Sequence, residues 1–170
     1  MTASLTTRPG LARALAAVRG AEIGLLRAVA LDIVAVGETD ALRMLGAEAI
    51  DVMRGATGPT TVELQAHSTA DGGATTFLGR AGRGVAVSAH LSVVAGESQE
   101  PLRATIRLVG THGSVLVDLL RPLLDVRTVA GRTEVPFGPI GVNAPAPEAS
   151  DALSAIADSA RSGRTTTITW

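Results

Sequence analysis

The feature that most restricts the fold is a series of short segments in which apolar and polar residues alternate. The clearest are residues 60–69, 85–94 and 103–109. A period of two residues places the apolar side chains on one face of a β-strand and the polar ones on the other. Glycine-rich turns such as Asp71-Gly72-Gly73 join neighbouring segments, which is typical of β-hairpins. The pattern predicts an antiparallel sheet with one face buried.

Helical spacing occurs in three other places. The segment 9–19 begins at Pro9 and repeats apolar residues at helical spacing, and the segment 148–162 does so before Gly163. Glu38-Thr39-Asp40 is typical of a helix start, and Gly46 predicts that this helix ends after about two turns. A strand is then expected at 47–56, and the proline-rich segment 137–147 is expected to be a loop.

The predicted order is helix, strand, short helix, a run of antiparallel strands, helix and strand. Further strands are expected at 25–36, 74–80, 114–118, 125–130, 132–136 and 165–169. This order favours an α+β fold, a mostly antiparallel open sheet of about six to nine strands with the helices packed on one face. No internal repeat or linker is visible, so a single domain over residues 1–170 is expected.

The residue types present exclude several chemistries. All 15 basic residues are arginine, so no lysine is available for Schiff-base formation, and no cysteine is available for thiol chemistry. The net charge is −1 with no basic stripe, which argues against nucleic-acid binding. The longest apolar stretch, 25–36, is interrupted by Arg27 and Asp32, and no signal peptide is visible. A cytoplasmic protein without a membrane span is therefore predicted.

Four segments, taken in order, resemble the C-terminal domain of the Gfo/Idh/MocA family (glucose–fructose oxidoreductases and inositol dehydrogenases). They are Arg8-Pro-Gly-Leu with the later Gly-Ala-Glu-Ile-Gly, Asp40-Ala-Leu-Arg-Met-Leu-Gly, Ile106-Arg-Leu-Val-Gly-Thr-His-Gly-Ser-Val-Leu-Val-Asp, and the final helix with Gly163-Arg-Thr-Thr-Thr. The third segment is the most specific. The resemblance covers nearly the whole chain and implies an α+β domain whose broad sheet face forms dimers.

The same resemblance implies features that this sequence does not contain. The family has an NAD(P)-binding Rossmann domain before this one, a catalytic lysine, and a histidine three positions before the aspartate of the short helix. Here the position three before Asp40 is Gly37, and the glycine cluster at 79–84 lies between predicted strands and opens no helix. The sequence therefore predicts no bound cofactor and excludes a self-sufficient NAD(P)-dependent dehydrogenase.

The remaining candidates for chemistry lie mainly on the polar face of the sheet. The alternation places His67 and His90 there, and together with Asp32 they are the predicted catalytic residues. The predicted substrate-binding residues are Asp40, Glu63, Arg103 and Arg107. One interpretation of this face is an acid–base pair or a His–Glu metal site, and the other is a solvated or interface-lining polar surface. No metal ligand is assigned.

Simpler roles are open for several residues. Asp40 is expected to cap the short helix. Asp32 either faces a pocket or pairs with an arginine, because an isolated carboxylate among apolar neighbours is costly. His112 is expected to be a turn residue, and Phe137 and Trp170 are expected to pack in the core or at a sheet edge.

Two functions fit these features. In the first, the chain is a non-redox substrate-binding and oligomerisation domain that dimerises through the sheet face or complements a separate oxidoreductase chain. In the second, it is a cofactor-independent isomerase, cyclase or epimerase that binds a small molecule and uses aspartate and histidine as acid and base. A third interpretation, a truncated product without selected chemistry, predicts poor solubility. The first is preferred, and whether the chain is an enzyme stays open.

Overall fold

The computed structural model describes residue 5 and residues 8–37, 40–96, 101–121, 123–136 and 149–170. Within these residues the chain forms three helices, α1 (Pro9–Arg19), α2 (Asp40–Thr57) and α3 (Ala149–Ser162). Nine strands lie in the same ranges: β1 (Leu26–Val36), β2 (Thr61–Ser68), β3 (Ala74–Ala81), β4 (Val85–Val94), β5 (Pro101–Gly110), β6 (Gly113–Asp118), β7 (Leu123–Thr128), β8 (Gly131–Pro136) and β9 (Thr166–Thr169). The predicted loop 137–147, with Phe137, lies outside the described residues.

The nine described strands belong to one open sheet in the order β8-β7-β6-β5-β1-β4-β3-β2-β9. The pair β1–β4 is parallel, and every other neighbouring pair among these strands is antiparallel. The parallel pair arises because the chain leaves β1 through α2 and returns beside it only after the β2–β3 hairpin. The predicted α+β fold with a mostly antiparallel open sheet is confirmed.

The helices pack on one face of the sheet, where the apolar strand residues form the core. In β1 the buried residues are Val29, Leu31, Ile33 and Ala35, which alternate with more exposed neighbours. The helix α2 packs on β4 and β1, α3 on β2 and β9, and α1 on β6. No helix in the described ranges is both long enough and apolar enough to cross a bilayer. Because burying one such aliphatic side chain stabilises the fold by about 1.5–3 kcal/mol, this layer dominates stability.

The helix α2 differs from the prediction. Gly46 predicts a helix end and a strand at 47–56, but α2 continues unbroken through this segment. The buried residues Ala49, Met53 and Ala56 recur at helical spacing rather than at the period of two that a strand requires. Gly46 instead permits close packing, because a Cβ there would lie 2.5 Å from Cδ2 of Leu153 in α3. The predicted strand at 47–56 is wrong because this glycine is a contact and not a stop.

The Gly-Thr-His-Gly turn between β5 and β6 is fixed against the turn that precedes β1. The backbone N–H of Thr111 donates to the carbonyl of Leu25 at 3.0 Å, and that of His112 donates to the carbonyl of Ile23 at 2.9 Å. A Cβ on Gly110 would overlap the carbonyl oxygen of Ile23, so only glycine allows this approach. His112 therefore lies in a turn, as predicted, and packing accounts for the motif's first glycine.

The last residue of the sequence, Trp170, is part of the core. Its side chain is 3% exposed, and its indole Nε1–H donates to Thr57 Oγ1 at 3.1 Å. Its backbone also exchanges two hydrogen bonds with Thr60, of 2.9 and 3.2 Å. The prediction that Trp170 packs in the core or at a sheet edge is confirmed.

Candidate functional site on the open face of the sheet

The face of the sheet opposite the helices, here called the open face, carries the outward-pointing strand residues. In β1 these are Ala28, Ala30, Asp32 and Val34, each in register with residues of β4 and β5. Their side chains are exposed or half-buried, unlike the core residues that alternate with them. The open face is therefore where the polar residues singled out from the sequence are displayed.

Six outward residues form a line across the open face, here called the polar row. In sheet order from β2 to β6 they are His67, Thr76, His90, Asp32, Thr105 and Asp118. Each is the register partner of the next, so the backbones of neighbouring members lie about 4.8 Å apart. Asp32 and His90 are adjacent, whereas β3 separates His67 from His90 by about 10 Å. The sheet thus brings together two of the three predicted catalytic residues.

Asp32 is compensated on one carboxylate oxygen only. Arg103 Nη2 lies 2.8 Å from Asp32 Oδ2, and the Asp32 side chain is 38% exposed. Asp32 Oδ1 is buried and accepts no hydrogen bond from any described residue. Leaving a buried acceptor unpaired costs free energy, so a donor supplied by a ligand or a partner would be favourable at this atom. Of the two roles left open for Asp32, the structure shows the pairing with an arginine.

His90 is oriented by a hydroxyl rather than by a carboxylate. Thr76 Oγ1 and His90 Nδ1 are 2.9 Å apart, and the tautomer of the imidazole decides which of them donates. The His90 side chain is exposed, so its other ring nitrogen faces a surface that a substrate or a partner can reach. Thr76 was missed in the sequence because a threonine at this spacing carries no signal; only the β3–β4 register places it beside the ring.

The remaining predicted substrate-binding residues do not join this pair. Arg107 lies on β5 on the open face and forms no ion pair with the described residues. Glu63 lies on β2 in register with Arg80, three strands away from Asp32. Asp40 begins α2 on the helix-covered side, and its side chain lies outside the described residues. The predicted set is therefore divided between the two sides of the sheet and does not line one pocket.

A second polar cluster on the open face surrounds Asp125 of β7. Arg127 donates from Nε and Nη2 to Asp125 Oδ2 at 3.1 and 3.0 Å, and Arg132 Nε donates to the same carboxylate. The hydrogen bond from Arg127, with help from Arg132, lowers the pKa of Asp125 below its usual 3.8. The Asp-x-Arg spacing on a strand could have indicated the first contact. The contact with Arg132 depends on the β7–β8 register and has no local signal.

The described residues contain no cluster of metal ligands. No three of their His, Asp or Glu side chains lie close enough to hold a metal ion, so the His–Glu metal interpretation gains no support from them. The glycine cluster 79–84 forms the end of β3 and the turn into β4, with Gly82 and Gly84 at positive φ. This is a hairpin turn, as predicted, and not the strand–turn–helix unit that binds a pyrophosphate.

The fold is shared with solved oxidoreductase structures. An oxidoreductase from Thermotoga maritima matches with a TM-score of 0.79 at 18% identity, over 97% of this chain and 62% of that one. Levoglucosan dehydrogenase in complex with NADH and levoglucosan matches with a TM-score of 0.77 at 16% identity, over 99% and 66% of the two chains. An oxidoreductase domain protein from Kribbella flavida gives 0.74 at 16% identity, over 97% and 64%. No protein-family model and no curated protein matches the sequence.

These likenesses establish the fold. The predicted resemblance to the C-terminal domain of Gfo/Idh/MocA-type oxidoreductases is confirmed as a resemblance of fold. The chain spans 62–66% of the length of the oxidoreductases that it matches. At 16–18% identity the shared fold does not carry over an activity, a substrate or a cofactor.

Proposed function

We propose that this chain is a non-redox substrate-binding and oligomerisation domain that dimerises by packing the open face of its sheet on that of a second copy. The observation that carries the proposal is the distribution of side chains on the open face. Small and apolar residues form a patch near its middle, which Arg107 interrupts between Ala30 and Leu116, and the other charged residues lie around this patch. Protein interfaces have this arrangement, with an apolar centre inside a polar rim.

Apart from Arg107, the patch near the middle of the open face is weakly polar. Its residues, which are neighbours on β1, β3, β4, β5 and β6, are Ala28, Ala30, Leu78, Ala86, Ser88, Val109 and Leu116. Leu78 is 58% exposed, an unfavourable state for a large apolar side chain in water. The small side chains allow a second sheet to approach to about 10 Å, the usual spacing of stacked sheets. Covering this patch would therefore stabilise a dimer.

The charged residues of the open face balance each other. The basic ones are Arg80, Arg103, Arg107, Arg127 and Arg132, and the acidic ones are Asp32, Glu63, Asp118, Asp125 and Glu134. Two copies of this surface can meet without net repulsion, whereas a face of one sign would oppose self-association. The charge distribution thus favours a second copy of the same chain as the partner.

The open face also has the area that a stable dimer needs. Its nine strands, at about 4.8 Å from strand to strand, extend over about 38 Å. A strand of six residues such as β6 is about 20 Å long, so the face measures roughly 770 Å². Standard protein–protein interfaces bury about 800 Å² on each partner. No additional contact surface is required.

Sedimentation equilibrium tests this proposal. We expect a dimer for the unmodified chain and a monomer for Leu78→Arg, because the substitution replaces an apolar contact of the interface with a guanidinium that must lose its hydration there. Met44→Arg is the matched control, since Met44 is 69% exposed on α2, away from the open face. A monomeric unmodified chain, or equal dissociation by the two substitutions, would contradict the proposal.

A separate oxidoreductase chain is the other partner that this domain would suit. Levoglucosan dehydrogenase was solved with NADH and levoglucosan. The substrate class that we infer for an assembly is accordingly a small polyhydroxylated compound. Because we assign nucleotide binding to the partner, NADH added to this chain alone should change neither its light scattering nor its Tm. A rise in Tm with NADH would contradict the non-redox assignment.

A second candidate function is favoured by the adjacency of Asp32 and His90. One of these groups could remove a proton from a carbon next to a carbonyl, and a proton could be returned to the opposite side of the same carbon. This epimerisation consumes no oxidant or reductant and forms no covalent intermediate. It requires the open face to be accessible to substrate, so it is incompatible with a permanent dimer that covers the polar row.

Deuterium exchange distinguishes the second candidate from the first. The protein is incubated with an aldose or a ketose in D₂O, and replacement of the C–H hydrogen next to the carbonyl is followed by NMR. An epimerase predicts exchange that is lost in Asp32→Asn and His90→Ala. His112→Ala, in the β5–β6 turn, should leave the exchange unchanged. Absence of exchange in the unmodified protein, or its survival in both variants, would exclude this candidate.

A further inference from the structure

A cavity lies on the helix-covered side of the sheet, between α2, α3 and the strands β3 and β4. Its volume is about 130 Å³. Its apolar walls are formed by Leu42, Gly46, Phe77, Leu91, Leu153 and Ile156. The cavity opens to solvent on the side of Arg43 and Ala157, which are exposed, so a ligand can enter it.

Gly46 forms the part of the wall where α2 and α3 pack closely. A Cβ at this position would lie 2.5 Å from Leu153 Cδ2 and 4.0 Å from Leu91 Cδ1, which both belong to the walls. Phe77, Leu91 and Ile156 are buried in the core, so the inner walls are fixed. An apolar cavity of about 150 Å³ lined by Leu, Ile and Phe stays dry and accepts a molecule the size of benzene. This cavity is similar in lining and size, but it is open to solvent on one side.

The mouth of the cavity is polar and basic. Arg43 and Thr75 are the polar members of its lining. The Thr75 hydroxyl is already engaged with Ser68 Oγ at 2.8 Å. Arg43 is exposed and forms no ion pair or hydrogen bond with the described residues. A guanidinium that has no counter-charge among the described residues and lies at the edge of an apolar cavity favours an anion, above all a carboxylate, which it can bind with two hydrogen bonds.

We propose that this cavity binds a small ligand in which a carboxylate is joined to a phenyl ring or a short branched alkyl group. The apolar group lies between Phe77, Leu91 and Ile156, and the carboxylate meets Arg43 at the mouth. The site is on the opposite side of the sheet from the open face. It can therefore be occupied in a monomer or in a dimer, and it does not depend on the function proposed above.

Benzoate and its neutral counterpart benzyl alcohol are suitable probes. We expect both to shift the methyl NMR resonances of Leu91, Leu153 and Ile156, with a benzoate dissociation constant on the order of 1 mM for so few atoms. Arg43→Gln should weaken benzoate by about tenfold, the usual effect of losing a charged hydrogen bond, and leave benzyl alcohol unchanged. Arg83→Gln is the matched control, because Arg83 is exposed in the turn before β4 and its substitution removes the same charge away from the cavity.

Ala157→Phe tests the cavity itself. Ala157 lines the cavity and is exposed, so a phenyl ring there can fill the space without removing a core atom. We expect this variant to lose both probes while its urea unfolding midpoint stays close to that of the unmodified chain. The proposal is overturned if neither probe shifts the methyl resonances. It is also overturned if Arg43→Gln and Arg83→Gln weaken benzoate equally, or if Ala157→Phe retains binding.

Discussion

Replacing Gly110 with alanine is expected to destabilise the fold strongly, although it adds a single methyl group. The new Cβ would overlap the carbonyl oxygen of Ile23 and lie 2.8 Å from its carbonyl carbon. Both are backbone atoms, so no change of rotamer relieves the overlap. Ile23 is fully buried, and its carbonyl accepts the hydrogen bond from His112. The β5–β6 turn must therefore move away from the turn that precedes β1.

The size of the effect follows from what this movement breaks. The hydrogen bonds from His112 N to Ile23 O and from Thr111 N to Leu25 O are each worth about 1 kcal/mol. Forcing an extra group into a packed site costs about 1–3 kcal/mol more. The total is about 3–5 kcal/mol in the free energy of unfolding. For a chain of this length that corresponds to a decrease in Tm on the order of 6–20 °C.

Urea unfolding followed by the fluorescence of Trp170, the single tryptophan, measures this difference. Gly55→Ala is the matched control, because Gly55 lies in α2 and its new Cβ would meet only Leu15 Cδ1, at 3.2 Å. Alanine is the better helix former by about 1 kcal/mol, so this variant should be as stable as the unmodified chain or slightly more so. A Gly110→Ala protein within about 1 kcal/mol of the unmodified chain would refute the packing argument.

Two further substitutions have defined outcomes. Asp125→Asn should lower Tm at neutral pH, because Arg127 loses its carboxylate partner. Because the pKa of Asp125 is lowered below 3.8 in the fold, the ionised carboxylate stabilises the fold fully above pH 3.8 and loses this effect as the pH falls below it. The difference in Tm between Asp125→Asn and the unmodified chain should therefore become smaller below pH 3.8. A difference that does not change with pH would contradict this. Ser159→Ala leaves the buried backbone N–H of Ala66 without its 3.0 Å acceptor, which should cost about 1–3 kcal/mol in urea unfolding; a loss below about 0.5 kcal/mol would contradict it.

The face of each strand could be predicted, because alternation with a period of two depends only on local sequence. This alone places His67 and His90 on the polar face, and both lie there. Whether they meet depends on strand order and register, which long-range pairing decides. The sheet inserts β3 between them and puts Asp32 beside His90 instead. The candidate site was therefore predictable as a face but not as a pair of residues.

The local sequence predicts the role of some glycines but not of others. The cluster at 79–84 is predictable as a turn because the strands on both sides alternate clearly. Gly46 is not, because its role depends on Leu153, which is distant in the sequence and approaches only when α2 and α3 pack. A glycine inside an apolar helical pattern can be a stop or a contact, and the local sequence does not separate the two. The length of α2 was mispredicted for this reason.

Distances between spin labels test the central claim, that a second copy of the chain covers the open face, most directly. The chain contains no cysteine, so Ser88→Cys on the open face and Ala12→Cys on α1 each provide one labelling site. In the proposed dimer the two sheets lie about 10 Å apart, so the labels on Ser88→Cys should give a short distance. Those on Ala12→Cys are separated by both sheets and both helix layers, about 30 Å or more. A short distance for Ser88→Cys with a long one for Ala12→Cys is the predicted result; the reverse order, or no distance in either variant, would contradict the claim.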